Sequence, residues 1–582
     1  MRKSNYDKFP TNTVCKSGAD CWENWPEILD RLKKFTTESN FVICIECYPG
    51  VFELPLRRTI EQGLQPAAVT MTTDLLRCSS EIGRMVGDVL GDDPVFGRIN
   101  GIQIEDFFDE NKLGNARDQA KNWNQGLLLI IGTGATLVIP EPDILIYADM
   151  ARWEIQQRQR RNEIANFGTD NFQDRAGLKY KRAFFVDWRA ADKLKTSLMP
   201  RIDFWLDTNS EIPKLVSGRS LRDGLIQLVH RPFRVVPYFD PGPWGGHWME
   251  EVCDLPTDVP NHAWCFDCVP EENSLLLRFG STCVEIPAMN LTLLQPRELL
   301  GLSVYSRFGA EFPIRFDFLD TMGGGNLSLQ VHPKAAYILD KFGMKYTQDE
   351  SYYLLDAGED GSVYLGVKNQ VNRNAMIREL KTVQANGHSF RAEDYVNKFP
   401  ANKHDHFLIP AGTIHCSGKN SMVLEISATP YIFTFKLWDW GRLGLDGFPR
   451  PIHLDHGLAN IAWDRDTNWV RENLINQVSQ LAEGPGWREE RTGLHESQFI
   501  ETRRHWFTAP THHETQDTLN VLNLVEGEEA VVESPTSAFE PFIVHYAETF
   551  IVPATVGAYR ISPVGQSIGR CCATIKASVR NC

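Results

Sequence analysis

The segment HDHFLIPAGTIHC, residues 404–416, decides how the second half of this chain is read. A short apolar run, Phe407 to Ile409, stops at Pro410, Ala411 and Gly412, and a second run opens with Ile414 and His415. Proline and glycine at such a junction end one strand and turn the chain into the next. His415 then sits just after the turn, where a side chain can face the mouth of a barrel. FIVPATVGA at 550–558 is similar to FLIPAGTIH at 407–415, which suggests that the device is used twice, in two related barrels.

The surrounding texture agrees. From RPFRVVPYFDPGPWGGHWMEEV (231–252) onward, short alternating or apolar runs recur between Gly and Pro turns: NSLLLRFG, SVYLGV, SMVLEISA, YIFTFKLWDW and PFIVHYAETFIVPA. Many short strands of this kind predict jelly rolls, the cupin architecture. Helical character returns at 458–482 between the two β-rich blocks.

The first part reads differently. Between residues 40 and 215, apolar runs such as NFVICIECYPG, QGLLLIIGTGATLVI and DILIYADM alternate with helical stretches. That alternation predicts an α/β domain with a mainly parallel sheet. GTGA, Gly132 to Ala135, follows a strand, where glycines let backbone approach a phosphate or simply form a tight turn. No GxxxxGK[ST] is present, and GSVYLGVK from Gly361 has Val367 at the lysine position. The basic residues Arg152, Arg158, Arg160, Arg161, Arg175, Lys179, Lys181 and Arg182 read as a solvated helix face, with a phosphorylated ligand as the rival. The expected class is therefore multidomain: an α/β domain over 1–230, a metal-binding cupin over 231–455, a small helical segment over 456–500 and a second cupin-like region over 501–582. The α/β domain weakly resembles a nucleoside kinase without its P-loop, which leaves a nucleotide open as its partner.

Bulk properties exclude several classes. A net charge of −15 over 582 residues argues against a sequence-independent nucleic-acid binder. The start, MRKSNYDKFPTNT, has no apolar export signal, and GLLLIIGTGATLVI is too short and broken to span a bilayer. Thirteen scattered cysteines fit reduced thiols in the cytoplasm, and the pairs Cys44/Cys47 and Cys265/Cys268 imitate a zinc site only superficially.

SLQVHPKAAY, residues 328–337, contains the second informative histidine. Residues two apart in a strand share a face, so Gln330 and His332 project together. Glu350 stands before the next apolar strand and His415 follows the Pro-Ala-Gly turn. Two imidazoles, a carboxylate and an amide oxygen make an N/O site for Zn²⁺ or a similar divalent ion.

SLQVHP, Glu350, IPAGTIH, LEI, WDWGRLGLDG and WGG together resemble type I mannose-6-phosphate isomerase, a zinc-dependent cupin family, over about 231–582. The resemblance implies one zinc per chain on Gln330, His332, Glu350 and His415, with a phosphorylated hexose as substrate. It also implies a catalytic role for Glu425 and contact between Ser328 and the phosphate. An arginine of that family, in YRxYDxxR, is replaced here: FTFKLWDWGR offers Lys436. Gln348 and Asp349 likewise stand where the family carries Gly-Lys-Thr or Lys-Pro. The expected reaction interconverts mannose 6-phosphate and fructose 6-phosphate through an enediolate, with Glu425 moving the proton and Lys436 balancing charge. Its rivals are a phosphosugar-binding cupin without catalysis and a two-activity sugar kinase/isomerase.

Overall fold

The computed structural model describes residues 4–14, 20–36, 40–386, 389–428 and 431–580; residues 1–3, within the stretch read for an export signal, lie outside them. The chain forms two compact units. One comprises Thr11–Gln227 with Ser274–Leu294, the other Met1–Pro10, Leu228–Asn273 and Gln295–Cys582.

In the first unit, strands rich in β-branched residues and Leu are buried on both faces, as a parallel sheet flanked by helices requires. Asn40–Cys47 is buried from Phe41 onward, and Ile144–Asp149 throughout. Five parallel strands lie in the order Ala68–Met71, Gly126–Gly132, Asn40–Cys47, Ile144–Asp149, Phe204–Asp207. Two antiparallel strands, Lys214–Ser217 and Cys21–Glu23, complete the sheet.

The donors of GTGA have partners inside the protein. Glu46 accepts from the backbone N–H of Gly134 (2.6 Å) and of Thr136 (2.9 Å), and Glu53 from that of Thr133 (2.9 Å). A carboxylate thus takes the place a phosphate would need, and the glycines serve a turn.

The basic run 152–182 departs from its expected solvated face. Arg152, Arg158, Lys179, Lys181 and Arg182 are buried. Arg158 donates to the carbonyls of Gly50 (3.1 Å) and Thr208 (2.8 Å), and Arg182 to that of Phe167 (2.7 Å). Lys179 donates to Phe172 O (2.7 Å). Their long side chains stitch loops from within, because the loops present carbonyls that the helices leave unmet.

The second unit holds two β-sandwiches. In the first, a six-stranded sheet runs His406–Ile409, Asp349–Ala357, Ser421–Ala428, Arg315–Asp320, Trp264–Cys268, Tyr238–Asp240. Its five-stranded counterpart runs Val396–Pro400, Ser362–Val367, His415–Ser417, Leu329–Val331, Phe435–Trp438. In the second, sheets of six and four strands enclose a core of Phe507, Leu522, Leu524, Val532, Phe550 and Ile561. Helix occupies Leu454–Asn460 and Thr467–Asn473, but within the stretch read as helical the strands Ser479–Gly484 and Trp487–Gly493 follow. Gly484 and Gly486 make the hairpin turn that the apolar spacing alone conceals. No helix of the described residues is long and apolar enough to cross a membrane.

Two buried histidines of this unit give it an acid limit. Burial, with Arg504 adding to it, pushes His406 down to about 3, and burial pushes His505 down to about 4. Both are neutral when folded and take up a proton on unfolding below their ordinary 6.5. Their contribution is therefore complete above that value and is lost as pH falls through the window down to about 4 and 3. The thermal unfolding midpoint is expected to fall from about pH 7 to about pH 5, and His406→Asn is expected to flatten that fall. Differential scanning calorimetry across the range checks it.

Candidate metal centre

Strand pairing assembles the site from both inner faces of the first sandwich. On the five-stranded sheet Lys436 is paired with Gln330, and Gln330 with His415, so the three side chains form one row. His332, two residues beyond Gln330, joins that face. On the facing sheet Glu350 is opposite Ser427, which is opposite Arg315; Tyr352 is opposite Glu425, which is opposite Asp317.

His332, Glu350 and His415 converge, with ligand atoms all within 4.8 Å of one another, and all three are fully buried. His332 Nε2 lies 3.0 Å from Glu350 Oε2, and His415 Nε2 lies 2.9 Å from Glu350 Oε1. The outer ring nitrogens decide what the inner ones present. His332 Nδ1 donates to Phe433 O (2.8 Å) and His415 Nδ1 donates to Thr413 O (2.9 Å), since a carbonyl only accepts. In the neutral rings each Nε2 is then a bare lone pair turned on a carboxylate. His332 Nε2 and Glu350 Oε1 have no aligned hydrogen-bond partner. Acceptors crowded in this way require a proton or a cation between them, and this N/O donor set fits a divalent metal ion. Neither Cys44/Cys47 nor Cys265/Cys268 belongs to this cluster; both pairs lie in buried strands.

Burial opposes charge on all three groups, and their mutual field outweighs it unequally. Glu350 is held well below the carboxylate range by His332 and His415. Its charge raises His332, whereas His415, next to His332, is lowered by burial.

Further side chains complete the site. Gln348 donates to Glu350 Oε2 (3.0 Å) and accepts from Phe433 N (2.8 Å), so one loop orients both Glu350 and His332. Asp349 accepts from Ala411 N (2.8 Å) and ties this strand to the Pro-Ala-Gly turn. Ser328 is buried, with its hydroxyl donating to Gln330 Oε1 (3.2 Å), and Gln330 Nε2 lies 3.2 Å from His415 Nε2. Burial and then the charges of Glu350 and Asp317 push Glu425 well above the usual carboxylate range, against Arg315. Lys436 is pushed down to about 7 by burial and by Arg450 and Arg442, against Asp439. Asp439 accepts from both Arg442 (2.8 Å) and Arg450 (3.0 Å), whose guanidiniums lie over the Trp244 ring.

Sequence reading missed Arg315, Asp317, Tyr352, Arg442 and Arg450. RFDFLD, 315–320, did carry a signal: over its first four residues charge alternates with aromatic residues at period two, in a strand buried throughout.

Comparison with known proteins adds two findings. Residues 24–230 match a family described as a domain of unknown function (DUF8485), which lends no support to the kinase likeness. The mannose-6-phosphate isomerase of Streptococcus mutans serotype c is 27% identical over 227 residues, 39% of this chain and 66% of that protein. Mannose-6-phosphate isomerase ManA of Bacillus subtilis strain 168 is 24% identical over 238 residues, 40% of this chain and 69% of that protein. The chain thus spans about two thirds of the length of these curated relatives. Among solved structures, the mannose 6-phosphate isomerase of Bacillus subtilis aligns at a TM-score of 0.48 and 16% identity, covering 60% of this chain and 99% of that one. A zinc-bound mannose 6-phosphate isomerase aligns at 0.46 and 14%, covering 60% and 100%. Over about two fifths of its length, the chain is a distant homologue of the mannose-6-phosphate isomerases.

Proposed function

We propose that the first sandwich is the active site of a metal-dependent aldose-ketose isomerase of hexose phosphates, interconverting mannose 6-phosphate and fructose 6-phosphate through an enediolate. The observation that carries this reading is the convergence of two imidazole lone pairs and a carboxylate, each fixed from behind by a hydrogen bond. The distant isomerase homology supports it.

On this proposal His332, Glu350 and His415 hold one Zn²⁺ or another divalent ion. Gln330 is the fourth donor, its amide turned so that the oxygen faces inward and the nitrogen faces Ser328. When bound, the ion supplies Lewis acidity that stabilises the enediolate charge. Glu425 carries the proton between the two carbons, and Tyr352 and Asp317, its partners across the sheet, fix its place. Lys436 supplies positive charge beside Gln330. Lys436, Arg442 and Arg450 share the single acid Asp439, a surplus of positive charge suited to the substrate phosphate. Ser328 contacts the substrate beside the amide it orients. The eleven described cysteines are all unpaired, which supports the cytoplasm as the place of action.

The test is a coupled assay of the zinc-loaded chain on mannose 6-phosphate. Absence of turnover on every hexose and pentose phosphate, with binding retained, would replace this reading by that of a phosphosugar-binding cupin. Glu425→Gln is expected to keep the metal and to lower kcat by roughly 10²–10⁴. Gln348→Leu frees Glu350 to rotate, so zinc affinity should drop about 10–100-fold in competition with a chromophoric chelator. Unchanged affinity would remove Gln348 from the site.

A further inference from the structure

The two sandwiches repeat one topology strand for strand. Eight strands from Arg315–Asp320 to Ser421–Ala428 are matched by eight from Ile500–Phe507 to Cys572–Val579. In both sets the larger sheet takes the sixth, third, eighth and first strands as neighbours in that order, and the smaller sheet the fifth, fourth, seventh and second. FLIPAGTIH and FIVPATVGA both start in the sixth strand and lead into the seventh, so the motif likeness marks a full repeat.

Register then maps the metal centre onto the second sandwich. Across the second and seventh strands Gln330 faces His415, and His513 faces Tyr559, one residue beyond the matched motif, where the buried side chain stands; Ala558 itself is exposed. Across the third and sixth Glu350 faces Ile409, and Asn520 faces Val552. Across the third, eighth and first the row Tyr352, Glu425, Asp317 corresponds to Leu522, Lys576, Arg503. Even the central contact is kept: Tyr559 donates to Asn520 Oδ1 at 2.8 Å, where His415 meets Glu350 at 2.9 Å.

The geometry persists while the chemistry is reversed. Glu350 becomes a neutral amide, Glu425 becomes Lys576, and Asp317 becomes Arg503. A cavity of about 660 Å³ lies there, within the range of small-molecule sites; His505, His513, Asn520, Tyr559 and Lys576 line it, as do the acids Glu489, Glu501 and Glu514, the first two of them held by arginines. His513 is only 6% exposed, yet neither ring nitrogen has a hydrogen-bond partner. Arg503 is held by Glu489 (3.0 Å) and Glu501 (2.6 Å), and Arg580 by Glu501 (2.8 Å). Lys576, 8% exposed, makes no hydrogen bond to an acid among the described residues, although the charges of Glu489 and Glu501 act on it against burial. A buried cation and a buried imidazole without hydrogen-bond partners in a polar cavity point to a ligand that supplies them.

We propose that this cavity binds a small hydroxylated oxyanion, a carboxylate or a phosphate, with its charge on Lys576 and its hydroxyls on His513 and Asn520. Burial lowers Lys576 only to about 8, so it remains largely charged at neutral pH, whereas His505 and His513 are neutral and serve as hydrogen-bonding groups. The site is independent of the metal centre.

Isothermal titration of the full chain with inorganic phosphate and, separately, with gluconate tests it. A binding event is expected that Lys576→Met weakens by about tenfold or more and that Lys436→Met, at the metal centre, leaves in place. His513→Gln, which keeps polarity and leaves the charge untouched, is expected to weaken the same event. Binding of gluconate alone identifies a carboxylate site, and of phosphate alone a phosphate site. The proposal is overturned if neither probe binds the unaltered chain, or if the isotherm is unchanged in Lys576→Met and His513→Gln.

Discussion

On the proposed assignment, His332→Ala and His415→Ala are each expected to bind little zinc where the unaltered chain binds one, and to bring the proposed isomerase activity to the assay background. Each removes one of the two imidazole nitrogens that face Glu350 at 3.0 and 2.9 Å. The backbone carbonyls of Phe433 and Thr413 hold those rings in place, and the other nitrogens close by, the amides of Gln330 and Gln348, carry no lone pair for a metal. The loss of affinity should exceed the roughly 10–100-fold that follows loss of an outer partner such as Gln348. Without its imidazole partner Glu350 is also a buried carboxylate with half its compensation gone, and it will take up a proton, which weakens metal binding further. Plasma mass spectrometry for zinc, run beside the coupled assay, reads both effects. Full zinc retention in His332→Ala would contradict the ligand assignment.

Lys436→Ala should behave differently: zinc is retained and turnover falls by about 10²–10³, the magnitude typical of losing one group that stabilises transition-state charge. Lys436 lies beside Gln330 in the sheet and outside the cluster of His332, Glu350 and His415, so on the proposed assignment the metal set stays intact. Lys436→Arg is the informative partner, because a planar fork replaces a point charge and is the residue the isomerase resemblance implies at this place. Measured separately, kcat is expected to carry the loss in Lys436→Ala and KM to change less; unchanged kcat would move Lys436 out of the reaction.

Much of the architecture was legible locally. Alternation at period two and Pro/Gly turns are written in neighbouring residues, which is why the jelly-roll texture, the parallel α/β region and the turn before His415 could be read directly. The pairing of Gln330 with His332 on one face follows from the same period. Other features depend on partners far away in the chain. The basic run 152–182 looked solvated because carbonyl partners of Arg158, Gly50 and Thr208, belong to loops whose approach no local pattern announces. GTGA looked able to receive phosphate until Glu46 and Glu53, more than eighty residues upstream of its donors or close to it, were found against it. Gln348 was read as a departure from a family pattern, yet its amide links Glu350 to the Phe433 loop.

By itself the sequence determined which residues could be strand, turn and ligand, since strand period, turn chemistry and donor type are properties of short stretches. Tertiary structure alone decided which of them meet. Strand register between segments tens to hundreds of residues apart set Glu350 against His332 and His415, and set Lys576 in the second sandwich where Glu425 stands in the first. Register is a long-range choice, made by burial of two sheet faces together, and within one repeated topology it set Lys576 and Arg503 at the places that Glu425 and Asp317 hold in the first sandwich.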